Sequence, residues 1–395
     1  MNKKTLYILI LVFIINPFLG VTSLMAIKLL TNKKENYSDL FIFIFITVYA
    51  SLLQSTRVWN VNLPSDWNGS YLELFQSAKS TSGFAYILMQ KEPVWNLLNY
   101  IGYYLSNGSA YLFLNTIAVS TIFLTSLSIF IYWKRTQTNP STLIASMVLI
   151  VFFTEYYGQL NNLLRQYFSL SIVVYAYVRK ITLNKSSWWL LIIASLVHSL
   201  SFVFLFLYFI KPLYKKISFS GMLKIAGIAL VMTLIFNHIE FIRNIFSEIQ
   251  FLTYGFDRLI SAGNPTDKNF LDSTTVYFNA LFLIFATAVL INNKYIIANI
   301  VFFKNILIAL MVLTMFLFTL APEIMSRLYV SRFYIFPFVI PYFLTNKKFL
   351  NNLCNYLIII FFSIRFFFTF NSIRGGGFFP PVGEIISYSI VNFFL

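Results

Sequence analysis

Three side chains in this 395-residue chain are suited to taking a proton from a hydroxyl: Asp66, Glu92 and His198. Asp66 and Glu92 share one polar stretch, 57–108, with Trp67 and Tyr71, aromatic residues of the kind that stack on sugars or sit at headgroup level. A carboxylate there can deprotonate a hydroxyl. Both acids also suit the start of a helix, Glu92-Pro93 above all, because proline is preorganised for a first turn. His198 interrupts the apolar run Leu196-Val197-His198-Ser199-Leu200. An ordinary imidazole pKa of about 6.5 fits it for proton transfer, while a hydrogen-bonded core histidine is the plainer alternative.

Four arginines complement these groups. Arg165, in Leu164-Arg165-Gln166 after a polar turn, opens an apolar segment and is placed for a phosphate, to which guanidinium donates two parallel hydrogen bonds. Gln166 beside it can hydrogen-bond a sugar. Snorkelling to the interface is the alternative for Arg165. Arg57 precedes Asp66, and Arg327 and Arg332 lie five positions apart in Ser326-Arg327-Leu328-Tyr329-Val330-Ser331-Arg332. Five helical residues turn through about 500°, so these two share one face only if a bend separates them.

The elements that carry these residues are apolar. Hydrophobic residues make up 58% and charged residues 11% of the chain, and the mean hydropathy is +0.75. This excludes an ordinary soluble domain, about 25% charged, and indicates an all-α, polytopic integral membrane helix bundle. Apolar windows predict helices near 5–30, 38–56, 109–133, 141–157, 163–179, 187–210, 220–237, 274–291, 296–320, 333–344 and 351–370, about 11–12 transmembrane segments in one domain spanning 1–395. The net charge of +16 follows from Lys and Arg retained on the cytoplasmic side and does not indicate nucleic acid. The single Cys354 closes no intramolecular disulfide.

Basic loops at 32–34, 133–135, 179–185, 211–216, 294 and 346–348 are expected inside, which puts 57–108, 238–273 and 321–332 among the external loops. For this to close, 187–210 is expected to fold back near His198 as two short helices; a single span that leaves Lys211–Lys216 outside is the alternative. Lys3 and Lys4 then fall outside, against the rule, unless the first segment, with Pro17, also departs from a simple crossing. Broken elements of this kind are tolerated where they pack in protein or line a cavity. Arg57, Arg165, Arg327 and Arg332 then stand on the outer face, where the charge rule does not account for them and an anionic ligand does.

In order and type, these residues resemble the EpsG family of bacterial membrane proteins, related to the Wzy-type O-antigen and capsule polymerases. The resemblance rests on Arg57, Asp66, Tyr71 and Phe75, then Glu92, Pro93, Trp95, Leu97 and Leu98, then Leu164-Arg165-Gln166, His198 and Arg327. It covers about residues 1–370. Where the family usually has Gly-Thr-Asp, this chain has Pro64-Ser65-Asp66. The resemblance implies a GT-C-like polymerase or ligase architecture in the bacterial plasma (inner) membrane, crossed several times. It implies a glycosyltransferase that needs no cofactor or metal and joins undecaprenyl-diphosphate-linked oligosaccharide repeat units into O-antigen, capsule or exopolysaccharide. A flippase and a chain-length regulator are the expected protein partners. In this reading Arg165, Arg327, Arg57 and Arg332 bind the diphosphate, Asp66, His198 or Glu92 activates the hydroxyl, and Tyr71, Trp67 and Gln166 contact sugar.

A lipid-linked oligosaccharide flippase and an O-antigen ligase are the alternatives, with a membrane acyltransferase behind them. No His-Glu-x-x-His, Walker-type glycine loop or Gly-x-Ser-x-Gly is present, and a nucleotide-driven machine is excluded.

Overall fold

The structure, a computed structural model, describes residues 3–31, 35–57, 71–88, 92–216, 300–317, 322–345, 347–369 and 379–393, with isolated positions between 227 and 244. The helices expected at 220–237 and 274–291, the expected loop 238–273, and Asp66 and Trp67 lie outside the described residues. Secondary structure among those residues is helical, and three helices are long and apolar enough to cross a membrane: Tyr37–Ser55, Ala110–Thr136 and Lys348–Phe368. The chain divides into two compact units, residues 1–206 with 336–395, and residues 207–335.

In the first unit, the opening apolar segment is two helices, α1 (Lys3–Ile15) and α2 (Pro17–Thr31). Asn16 separates them. Its Oδ1 accepts the Leu19 N–H at 2.8 Å, capping α2, while its Nδ2 donates to the Ile386 carbonyl at 2.8 Å. The two helices meet sharply: a Cβ at Gly20 would lie 2.5 Å from the Phe13 Cα, whereas seven residues of straight helix span about 10 Å. Next come α3 (Asn36–Ser55), α4 (Leu72–Ser77), α5 (Gly83–Leu88), α6 (Pro93–Leu105) and α7 (Ala110–Thr136). The described part of 57–108, expected as a loop, is thus mostly helical. Its helices are too short and polar for an apolar-window count; α4 and α5 pack on α6, which in turn packs on α7, and this packing stabilises them.

The α7 helix packs on α3 and on α10 (Leu164–Leu183). Between them run α8 (Pro140–Val151), every residue of which is buried, and α9 (Thr154–Asn162). The side chains of α8 are apolar or small hydroxyls that are hydrogen-bonded, as Ser141 is to Asn352 and Ser146 to the Thr142 carbonyl, so it can lie in the interior of the bundle. The expected span 141–157 therefore ends at Val151, and the polar turn expected before Arg165 falls mostly on α9. Both α7 and α10 stop at a left-handed residue, Gln137 and Asn184, with Lys134, Arg135 and Lys180 in the last turns, where cations suit the carbonyl end of the helix dipole.

The segment 187–210 breaks where the topology requires. The α11 helix (Trp188–Val197) ends at His198, which is extended at φ −151°, ψ 121°, and α12 (Ser201–Phe209) follows. The α11 helix packs back along α10. The Ser201 hydroxyl lies 2.9 Å from that of Ser169, while the Tyr177 hydroxyl donates to the Phe204 carbonyl at 2.7 Å. Ser169 and Tyr177 are about 12 Å apart along α10, so α12 runs in the direction of α10 and the chain reverses at His198–Leu200.

The first unit is completed by the region 336–344, by α15 (Lys348–Thr369) and by α16 (Val382–Ser387). The expected helix at 333–344 is a series of short turns, since Pro337 and Pro341 each remove a donor from the ladder. In the second unit, α13 (Val301–Leu317) packs on α14 (Pro322–Ser331). Asn305 of α13 donates to the Leu213 and Lys215 carbonyls, both at 2.8 Å. The expected loop 321–332 is therefore helical from Pro322, a residue favoured at a first helical position.

Candidate active site

Glu92 stands immediately before α6, where its own helix offers free N–H groups, yet its side chain does not cap that helix. Its carboxylate, 1% exposed as a residue, faces two other elements. Oε2 accepts from Nη1 of Arg165, in the first turn of α10, at 2.7 Å. Oε1 accepts the backbone N–H of Ser199, in the reversal between α11 and α12, at 3.2 Å. One carboxylate thus ties three elements together. Buried carboxylates need such donors, because the desolvated charge is otherwise costly.

The Arg165 side chain keeps 20% exposure. Its guanidinium carbon lies 4.8 Å from the centre of the Tyr71 ring. Tyr71 is buried just before α4, and its ring centre is 6.0 Å from that of Trp95 in α6. The cluster combines a fixed cation, the aromatic face that orients it and a carboxylate that restrains it. A planar guanidinium held on two sides is fixed in position and plane, as recognition of an anion by its fork requires.

His198 is buried at 6% exposure, in the same reversal whose Ser199 N–H reaches Glu92. Its Nδ1 accepts the Leu200 N–H at 3.3 Å. With Nδ1 accepting, the proton of a neutral imidazole stands on Nε2. Gln166, next to Arg165, is buried at 1% exposure.

Of the expected site residues, Glu92, Arg165, Tyr71 and the His198 reversal come together. Arg57, directly after α3, is buried, and burial pushes its guanidinium down to about 9. In the second unit, Arg327 lies in α14 and is half-buried, while Arg332 folds over the Tyr329 ring at 3.4 Å and donates Nε to the Tyr329 carbonyl at 3.0 Å. Residues of α6 beyond Glu92 escaped the reading of the sequence as site members. Trp95, Asn96 and Asn99 are all buried on the side of α6 that carries Glu92. The signal was available: polar or hydrogen-bonding groups at 92, 95, 96 and 99 follow the helical period.

No curated protein and no solved structure matches the chain. The model of the EpsG family matches residues 39–381, a range that takes in Glu92, Arg165, His198, Arg327 and, but for Tyr37 and Ser38 at the start of the first, the three long apolar helices of the described residues. By that match over most of its length, the chain is a membrane protein that belongs to the EpsG family.

Proposed function

We propose that the protein is a polysaccharide polymerase, a glycosyltransferase that joins oligosaccharide repeat units carried on undecaprenyl diphosphate. It does so at the outer face of the plasma membrane, within a multi-pass, GT-C-like helical framework. The observation that carries this reading is the Glu92 carboxylate, which holds both Arg165 and the reversal bearing His198. In the reaction, an acceptor sugar hydroxyl attacks the anomeric carbon of the donor glycan. The bond from that carbon to the diphosphate oxygen breaks, and undecaprenyl diphosphate leaves with the electron pair. Arg165 neutralises the charge that develops on the leaving diphosphate. Arg327 and Arg57 are further candidates for that anion, while Arg332, already folded on Tyr329, is a weaker one.

Glu92 acts as a positioning residue, since both oxygens are engaged. The hydroxyl proton passes to Asp66 or His198. Protonation of His198 on Nε2 favours Asp66 as the base and His198 as a donor. Tyr71 lies under the guanidinium and supports Arg165, leaving Trp67 and Gln166 as the sugar contacts carried over from the sequence.

Surface glycan from cells carrying Arg165→Ala tests the reading: at normal protein level, long-chain polysaccharide is lost. Normal long chains would overturn it. A deletion strain separates the alternatives. Single repeat units accumulate outside on their carrier for a polymerase, facing the cytoplasm for a flippase, and as finished but unattached chains for a ligase.

A further inference from the structure

In lipid, a helix face turned into the protein is most cheaply filled with apolar side chains, yet α6 is arranged the other way. Leu97, Ile101, Tyr104 and Leu105 are exposed, whereas Glu92, Trp95, Asn96 and Asn99 are buried to 1% exposure or less. At about 100° per residue, the four buried positions fall within roughly 100° of arc, on the side opposite the exposed ones. Most of the polar atoms on this stripe are engaged. Glu92 holds Arg165 and Ser199, the Asn96 amide donates to the Ile87 carbonyl at 3.0 Å, and the Asn99 amide donates to the Trp95 carbonyl at 2.9 Å.

Two atoms are left over. The Trp95 indole N–H and the Asn99 Oδ1 are buried and have no hydrogen-bond partner among the described residues. Native interiors seldom leave buried polar atoms unsatisfied, and those that remain call for a ligand or water. One is a donor and the other an acceptor, one helical turn apart, and the four positions of the stripe carry no cation. That combination suits neutral hydroxyl groups, which donate and accept together, and does not suit an anion. Asn99 lies about 10 Å along α6 from Glu92, a distance that sets the stripe one sugar or two away from Arg165.

We propose that the buried face of α6 is a sugar subsite in which Trp95 Nε1 donates to, and Asn99 Oδ1 accepts from, hydroxyls of the glycan whose diphosphate Arg165 holds. This rests on the function proposed above and extends it from the diphosphate to the sugars. Trp95→Phe removes the N–H and keeps a ring against Tyr71 and Phe113, its neighbours at 6.0 and 6.1 Å. Because that N–H bonds nothing among the described residues, the variant keeps or gains thermal stability, the reverse of what a structural hydrogen bond would give.

The test is binding to the full-length protein in lipid nanodiscs, with two probes: undecaprenyl diphosphate, and the lipid-linked single repeat unit extracted from a deletion strain. Trp95→Phe and, as a second variant, Asn99→Leu weaken the sugar-bearing lipid about 3- to 10-fold, the value of one neutral hydrogen bond, and leave the sugarless lipid unchanged. Arg165→Ala weakens both. If Trp95→Phe and Asn99→Leu bind both lipids as the unaltered protein does, the stripe holds only water and the subsite is refuted while the function stands. If the unaltered protein binds neither lipid, the proposed function itself fails.

Discussion

Arg165 owes its position to two neighbours of different kinds. Glu92 fixes where the charge sits, and Tyr71 fixes the plane of the guanidinium. Lysine in its place would keep the charge and lose the fork and the stacking. Arg165→Lys is therefore expected to lower polymer formation about 10-fold or more at unchanged protein level, the value of a charge-assisted hydrogen bond, as read from glycan chain length. Wild-type chain length in that variant would show that any cation suffices. Glu92→Ala has a different signature. It strips the partner from a guanidinium that is 20% exposed and frees the Ser199 N–H, so it should cost about 2–3 kcal/mol in stability, seen as a lower melting temperature in detergent. A Glu92→Ala variant as stable as the parent would remove Glu92 from its positioning role.

Two elements of the bundle turn back at a polar residue in an apolar run, and the same device serves both. At Asn16 and at His198 a side-chain acceptor takes a backbone N–H two or three residues on, Leu19 in one case and Leu200 in the other. The chain can then leave the helix without an unsatisfied donor, which matters most where water is scarce. In the first break the tightness comes from Gly20, because an added Cβ would meet the backbone of Phe13 and no side chain can move aside to admit it. Gly20→Ala should destabilise the protein by about 1–3 kcal/mol, measured by thermal unfolding, whereas alanine at the exposed Leu30 of the same helix should be nearly neutral. In the second break, His198→Asn keeps a short acceptor near Leu200 and should fold normally. Lost polymer in that folded variant would separate the chemistry of the imidazole from its part in the turn.

For the molecule as a whole, the reversal at His198 is the feature on which an orientation with the basic loops inside depends. The carboxyl ends of α7 and α10 carry Arg135 and Lys180 toward the basic side, and the α6–α7 turn, with Asn107 and Gly108 left-handed, lies at the other end of α7. In a Cys354→Ala background, Lys185→Cys should react with a membrane-impermeant thiol reagent only after the membrane is opened, and Asn107→Cys in intact cells. Labelling of both from one side would refute the orientation.

What the amino-acid sequence determined by itself is whatever depends on local transfer from water to lipid. That covers the membrane class, the long helices α3, α7 and α15, the basic ends and, once loop charges are compared, an expected fold-back near His198 and a conflict at the first segment that a break near Pro17 would resolve. It also named Glu92, Arg165, Tyr71 and His198, because charged and aromatic groups near membrane depth are conspicuous in composition. The sequence could not say what Glu92 does. Its partners lie 73 and 107 positions away, and capping its own helix was an equally good local answer. The short helices of 57–108 were hidden for a similar reason, since packing on one another and, through α6, on α7 supplies what their hydropathy lacks. The polar face of α6 became visible only when packing showed which side of that helix is buried. Hydropathy is read residue by residue along the chain; which carboxylate meets which cation, and which helix face is enclosed, is decided by contacts between distant segments.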